Sequence, residues 1–243
     1  MKNIDINCDI GEGMANDELL MPFISSANIA CGYHAGDEQT MRQTVALCIK
    51  YGVSIGAHPS FPDRENFGRR EMKLSFGEVY HLIINQIIAL EKILLEAGAT
   101  LRHVKPHGAL YNMAAKDPFL AAAIAQAVKD FSPKLVLFGL CNSHLIWEGE
   151  AIGLKTAGEA FADRTYQDDG SLTPRSVPGS LIEDPDQAVA QVLEIVGEGR
   201  VTTISGKKIT IAADTICLHG DGANAAAIAK AIHEALAAKG ALR

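Results

Sequence analysis

Ile4-Asp5-Ile6-Asn7-Cys8-Asp9-Ile10, closed by Gly11-Glu12-Gly13, alternates apolar and polar side chains residue by residue. Such alternation marks a β-strand with two unlike faces, with Ile4, Ile6, Cys8 and Ile10 on one and Asp5, Asn7 and Asp9 on the other. A parallel strand covered on both sides should be apolar on both faces. A row of polar groups on one face therefore points to a working interior. Inward carboxylates of this kind cost stability that function retains, so Asp9→Asn is expected to leave the thermal midpoint unchanged or higher.

Outward from this stretch, strand-like runs alternate with helical patterns. The strands are Ile4–Cys8, Ala27–Cys31, Val53–Ala57, Leu101–Lys105, Leu135–Phe138, Leu154–Ala157 and Thr215–Leu218. That order implies a parallel sheet with crossover helices. Ser75 with Glu78 forms a capping box for a helix that carries Val79, Leu82, Ile83, Ile87, Leu90 and Leu94 to a stop at Gly98. Asp117-Pro118 and Asp184-Pro185 open helices to about Phe131 and Val196, and a last helix runs from about Ala223 to Lys239. Val201–Ile204 and Ile209–Ala212 alternate across Ser205-Gly206-Lys207-Lys208 and read as a β-hairpin insertion near 200–213. No linker divides the chain, so residues 1–243 form a single domain. The long loops, Pro59–Leu74 and Glu159–Gly179, are candidates for function.

Composition narrows the function classes. With 243 residues, 48% of them hydrophobic, the chain can bury one substantial core, and a net charge of -7 supplies no basic field for nucleic acid or anionic membrane. Asp5 and Asp9 interrupt any secretory apolar stretch, and polar residues break Leu82–Leu95 well short of a bilayer span, so a cytoplasmic protein is expected. Cys8, Cys31, Cys48, Cys141 and Cys217 lack a C-x-x-C pair and read as reduced, buried small hydrophobes.

Polar residues gather where strands end, at Asn28–Asp37, Gly56–Ser60, His103–Gly108 and Cys217–Gly222. That is the C-terminal edge of a parallel sheet, where active-site groups collect, and four clusters converge only if the sheet curls. His34, His58, His107 and His219 stand beside Gly or Pro at these junctions and are candidates, whereas His81 and His233 sit inside helical patterns and read as surface or packing residues. Asp9 and Glu12, three apart across Gly11, suit an acid/base pair or metal ligands. Arg64, Arg69 and Arg70 in the first long loop suit carboxylate or phosphate, and Lys105 stands at a strand end as a further candidate cation. The His219-Gly220-Asp221-Gly222 turn could hold an anion on its amides, but Asp221 opposes that charge and no Walker motif is present.

Several blocks together resemble the LamB/YcsF family: Ile6–Gly13, Asn28–Asp37, Gly56–Arg70, His103–Asn112, Glu159–Tyr166 and Cys217–Ala225. The resemblance covers almost the whole chain. Leu172-Thr173-Pro174-Arg175 departs from the family pattern, where valine is expected at the place of Thr173, and retains Arg175. The resemblance implies an α/β fold, an incomplete (β/α)7 barrel of the glycoside hydrolase and deacetylase type. It also implies ATP-dependent opening of 5-oxo-L-proline to L-glutamate, with ATP and Mg²⁺ as cofactors and 5-oxoprolinase subunits B and C as partners. On that reading Asp9, Glu12, His34, His58 and Lys105 are catalytic, with Asp9 and His34 as metal ligands. Asn7, Asp37, Asp63, Arg64, Arg69, His107, Asp163, Arg175 and His219 bind substrate or phosphate. Two alternatives stay open: a metal-dependent amide or carbohydrate hydrolase that uses no ATP, and a non-catalytic protein that binds and presents the substrate.

Overall fold

The structure, a computed structural model, describes residues 3–242 apart from 221 and 223. The alternation at the start of the chain becomes β1 (Asp5–Ile10), with α1 (Asp17–Leu20), β2 (Ser26–Ala30), α2 (Glu38–Tyr51) and β3 (Ser54–His58) after it. Next come α3 (Phe76–Ala97), β4 (Leu101–Val104), α4 (Gly108–Lys116), α5 (Pro118–Phe131), β5 (Val136–Leu140), α6 (His144–Ala151) and β6 (Lys155–Phe161). The chain ends with α7 (Pro185–Glu198), β7 (Arg200–Thr202), β8 (Lys208–Thr210), β9 (Thr215–His219) and α8 (Ala225–Ala238). Seven parallel strands close in the order β1-β2-β3-β4-β5-β6-β9, with β9 pairing both β6 and β1. The expected (β/α)7 barrel is present. It is incomplete in strand number, and its ring of ladders is closed. The β7-β8 hairpin forms a separate antiparallel pair at the predicted place.

Local chemistry explains where the signalled helices begin. Ser75 accepts from the Glu78 amide while Glu78 reaches back to the Ser75 amide, completing the capping box of α3. Asp117 and Asp184 accept from the first-turn amides of α5 and α7, each with a proline at the opening position. α6 carries no such signal, since Ser143 makes no side-chain cap bond. The predicted last helix begins at Ala225, and its proposed start at Ala223 lies outside the described residues, as does Asp221.

Ile4, Ile6, Cys8 and Ile10 are buried against the helix layer, as the alternation requires. Each isoleucine taken from water in this way contributes about 1.5–3 kcal/mol. Inside the ring, hydrogen bonds replace the branched apolar layers usual in such barrels. Asp5 accepts from Ser26 at 2.7 Å and Thr215 at 2.6 Å. One layer up, Asn28 Nδ2 donates to Asn7 Oδ1 and to Asp9 Oδ1, each at 2.8 Å. Among the described residues, no helix is long and apolar enough to cross a membrane.

Candidate active site

The polar ladder leads up to the C-terminal ends of the strands, where a cavity of about 590 Å³ opens. Asp9, Glu12, His58, Arg69, Lys105, His107, Arg175 and His219 line it, drawn from loops and strands far apart in sequence. The predicted convergence of strand-end clusters is what barrel closure produces.

Lys105 forms the floor. It is only 2% exposed, and its ammonium lies 2.9 Å from Asp9 Oδ1, 2.9 Å from Glu159 Oε1 and 3.0 Å from Cys217 Sγ. Burial works against this charge, but Asp9, Cys217 and Glu159 outweigh it and hold the Lys105 pKa well above its ordinary value. Burial likewise opposes the Asp9 charge, and His58 and Lys105 hold that carboxyl well below the usual range. Tyr111 donates to Glu159 Oε2 at 2.7 Å and completes the buried network.

Above the floor, Glu12 meets three imidazoles. Glu12 Oε1 lies 3.0 Å from His34 Nε2, 3.4 Å from His107 Nδ1 and 4.0 Å from His58 Nε2. His58 Nε2 is also 3.3 Å from Asp9 Oδ2 and 2.9 Å from His107 Nδ1. His34 and His107 stack with ring centroids 3.8 Å apart. Gly68, at φ 65, makes this stack possible, because an added Cβ would fall 2.9 Å from His34 Cβ and 3.0 Å from His107 Cδ2. Phe67, beside it, is also left-handed at φ 55, a costly conformation for a bulky residue, and its carbonyl meets His107 Nε2 at 2.9 Å. Burial pushes the His34 pKa down to about 3 and holds His107 well below the ordinary imidazole value, so both are neutral.

The other predicted residues have separate places. Asn7 sits beneath Lys105, 3.3 Å from its ammonium, and Asp163 stands behind His219, accepting from its amide and from Nδ1 at 2.9 Å. Arg64 does not line the cavity: it donates to the Gly32 and Gly36 carbonyls, each at 2.8 Å, whereas Arg69 and Arg175 do line it. Asp37 is the exposed cap of α2, bonded to Thr40, and Asp63 organises its loop through Asn66 and the Arg70 amide, so neither lines the cavity. The expected metal pair is also split. His34 joins Glu12, His58 and His107 in one donor group, and Asp9 joins Cys217 and His219 in another.

Several network residues escape a sequence reading. Glu159 falls at the start of a predicted loop, but β6 runs four residues beyond its expected end and carries this side chain fully buried into the barrel. In Ala157-Gly158-Glu159-Ala160-Phe161, Glu159 is a lone charge among small and apolar residues, a signal that could have found it. His103 stacks on Phe138 at 4.2 Å and bonds Asn28 Oδ1 at 2.8 Å, and burial lowers its pKa to about 3. Cys217, which reads as a plain hydrophobe, is a partner of Lys105.

Comparison with known proteins places this geometry. A family model described as LamB/YcsF family matches residues 4–242. The chain is 53% identical to a Brevibacillus brevis protein named as the A subunit of 5-oxoprolinase, over 99% of this chain and 96% of the relative. A protein of the same name from Geobacillus thermodenitrificans is 54% identical, over 99% and 95%. A crystal structure called lactam utilization protein, from Thermus thermophilus, superposes with a TM-score of 0.93 at 44% identity, over 100% of this chain and 99% of that one. A family 4 carbohydrate esterase from Streptomyces lividans shares the fold alone, with a TM-score of 0.52 at 14% identity over 98% and 90% of the two chains.

Proposed function

Because the chain belongs to the LamB/YcsF family, we propose that it is the A subunit of a 5-oxoprolinase, opening 5-oxo-L-proline to L-glutamate with ATP. The observation that carries this reading is the cavity floor, where the Lys105 ammonium lies against Asp9, with Arg69 and Arg175 also lining the cavity. The names of the near relatives support it.

A five-membered lactam is a resonance-stabilised amide and a poor electrophile. Transfer of the γ-phosphoryl group of ATP to its carbonyl oxygen makes the ring carbon open to water. Attack by one water breaks the C–N bond, the ring nitrogen leaves as an amine, and a second water releases phosphate. Arg175 suits the substrate carboxylate and Arg69 the phosphoryl oxygens, because a guanidinium pairs such groups through two parallel N–H bonds. Asp9 and His58 are the groups to move the proton of the attacking water, and Lys105 stabilises the charge that develops beside it. Mg²⁺ prefers an all-oxygen shell, which the histidine-rich group above the floor does not offer. It therefore enters with the nucleotide phosphates.

Partner subunits B and C complete the reaction by covering the open mouth and excluding bulk water. The test measures glutamate from 5-oxoproline, ATP and Mg²⁺ with the purified chain, alone and with both partners. We expect at most slow ATP hydrolysis from the chain alone and glutamate at a useful rate only with the partners. Full glutamate production by the chain alone would refute the shared site. The convergence of Glu12 with three imidazoles favours a second reading, a metal-dependent hydrolase that uses no ATP, and lactam opening in the absence of ATP would establish it.

A further inference from the structure

We propose that Arg164, together with Arg175, binds the carboxylate of the lactam substrate and so makes the site selective for a carboxylated lactam over a bare one. The inference rests on the 5-oxoprolinase reading, in which Arg175 alone faces that carboxylate.

Arg164 stands three residues beyond the end of β6, lines the cavity and is only 5% exposed. Its Nε donates to the Ser180 carbonyl at 3.3 Å and its Nη2 to the Thr173 carbonyl at 2.6 Å, which ties down the loop after β6. A guanidinium carries five N–H bonds, so three remain, two on Nη1 and one on Nη2, with no acceptor among the described residues. No described carboxylate lies within ion-pair distance either. Asp163, the adjacent acid, is turned to His219 and meets its Nδ1 at 2.9 Å. Burial and then the Arg175 guanidinium push the Arg164 pKa down to about 10, so the group keeps its charge at neutral pH. A desolvated charge without a counter-charge is strongly unfavourable, and the open side of this one is the cavity. An anion bound there supplies the counter-charge.

Arg175 belongs to the same wall. Ser180 links the two arginines, since its carbonyl accepts from Arg164 Nε and its hydroxyl donates to the Arg175 carbonyl at 3.4 Å. Thr173, whose carbonyl holds Arg164 Nη2, is two residues before Arg175. The Arg175 side chain lines the cavity and makes no hydrogen bond or ion pair with a described residue. A carboxylate between two such cations relieves their repulsion, taking parallel N–H bonds from Nη1 and Nη2 of one and a further bond from the other. The wall is fixed before substrate arrives. Gln191 Nε2 donates to the Arg164 carbonyl at 2.9 Å and to the Phe161 carbonyl at 2.7 Å, and fully buried Tyr166 accepts from the Phe161 amide at 2.7 Å. The Phe161 ring in turn packs against the floor, its centroid 5.4 Å from the Lys105 ammonium. The stretch from Phe161 to Arg164 therefore holds the anion wall at a set distance from the reacting floor, which orients a lactam bound by both ends. A bare lactam leaves both guanidiniums without a counter-charge, and a site whose buried polar groups go unpaired rejects that analogue strongly.

The full chain is assayed with both partners, ATP and Mg²⁺, using 5-oxo-L-proline and 2-pyrrolidone, the same lactam without the carboxylate, the latter as substrate and as competitor. The wild type should prefer 5-oxoproline in kcat/KM by at least about 1000-fold. Arg175→Gln and Arg164→Lys should each raise the KM for 5-oxoproline about 10–100-fold and reduce the preference by the same factor, while the inhibition constant of 2-pyrrolidone stays at its wild-type value. That comparison separates binding from structure, since a variant that merely loosened the loop would weaken both lactams alike. Arg175→Gln removes no bond to a described residue and so leaves the fold intact. If Arg164→Lys does not fold, a crystal structure of the wild-type chain with 5-oxoproline decides the case, and the carboxylate should lie within hydrogen-bond distance of Arg164 Nη1. Unchanged preference in the variants, equal weakening of both lactams, or a carboxylate bound away from Arg164 would overturn the pair. A raised KM for ATP in place of that for 5-oxoproline would overturn it too, by putting phosphate on these arginines. Absence of glutamate from the wild type with its partners would refute the 5-oxoprolinase reading itself, which is a distinct result.

Discussion

Replacing Lys105 by methionine removes the ammonium and keeps most of the stem, which isolates the charge from the packing. In the folded chain that ammonium stands 2.9 Å from each of two carboxylates, Asp9 at 5% and Glu159 at 0% exposure. An exposed pair of this kind would contribute at most about 1 kcal/mol. A buried pair behaves differently, because removing one partner leaves the other charge desolvated and uncompensated, at a cost of about 3–5 kcal/mol. For a chain of this size about 2–4 °C of thermal midpoint accompanies each kcal/mol, so Lys105→Met should melt roughly 6–20 °C lower at neutral pH. The second arm adds Glu159→Gln to Lys105→Met. That change removes one stranded charge and should recover a substantial part of the loss, an interaction a double-mutant cycle reads directly. Circular dichroism melts and urea titrations of the wild type and the variants supply the numbers. A single variant that loses less than about 1 kcal/mol, or a double variant that recovers nothing, would mean that cavity water solvates the carboxylates and that the pair is not desolvated.

Two further predictions concern the barrel interior. His34 and His103 have folded pKa values of about 3 against about 6.5 in the unfolded chain, so between those values the unfolded state binds more protons. Their contribution is complete above pH 6.5 and is lost as pH falls toward 3, by up to about 1.4 kcal/mol per pH unit for each group. Urea midpoints measured from pH 7 to 4 should fall accordingly, and a flat profile would show these rings to be solvated. At Gly56 an added Cβ would lie 2.1 Å from His103 Nε2. Gly56→Ala should therefore cost at least the roughly 1–3 kcal/mol of an overpacked core, and a variant with wild-type stability would contradict the placement of His103.

Periodicity and end signals carry the fold because both are local. The alternation from Ile4 to Ile10 is visible in the chain itself, and so are the Ser75–Glu78 capping box and the Asp-Pro helix starts. Seven strands are legible in this way, and the resemblance to the LamB/YcsF family supplies the barrel. The sequence also shows that the strand ends carry histidines, acids and Lys105. It cannot show which groups meet, because contact between Lys105 and Glu159, or between Glu12 and His107, depends on closure of the ring and on the register of β6 and β9. The expectation that Asp9→Asn would be neutral or stabilising changes for the same reason. Seen alone, Asp9 is an inward carboxylate that should be costly. In the barrel it is paired with Lys105 and bonded by Asn28, and its removal weakens a network. Arg64 is the converse case, since a cation in a polar loop looks available until folding turns it onto two backbone carbonyls. Residue types and their periods are properties of the chain, whereas the partner of a buried charge is a property of the closed barrel, where segments about a hundred residues apart come within 3 Å of each other.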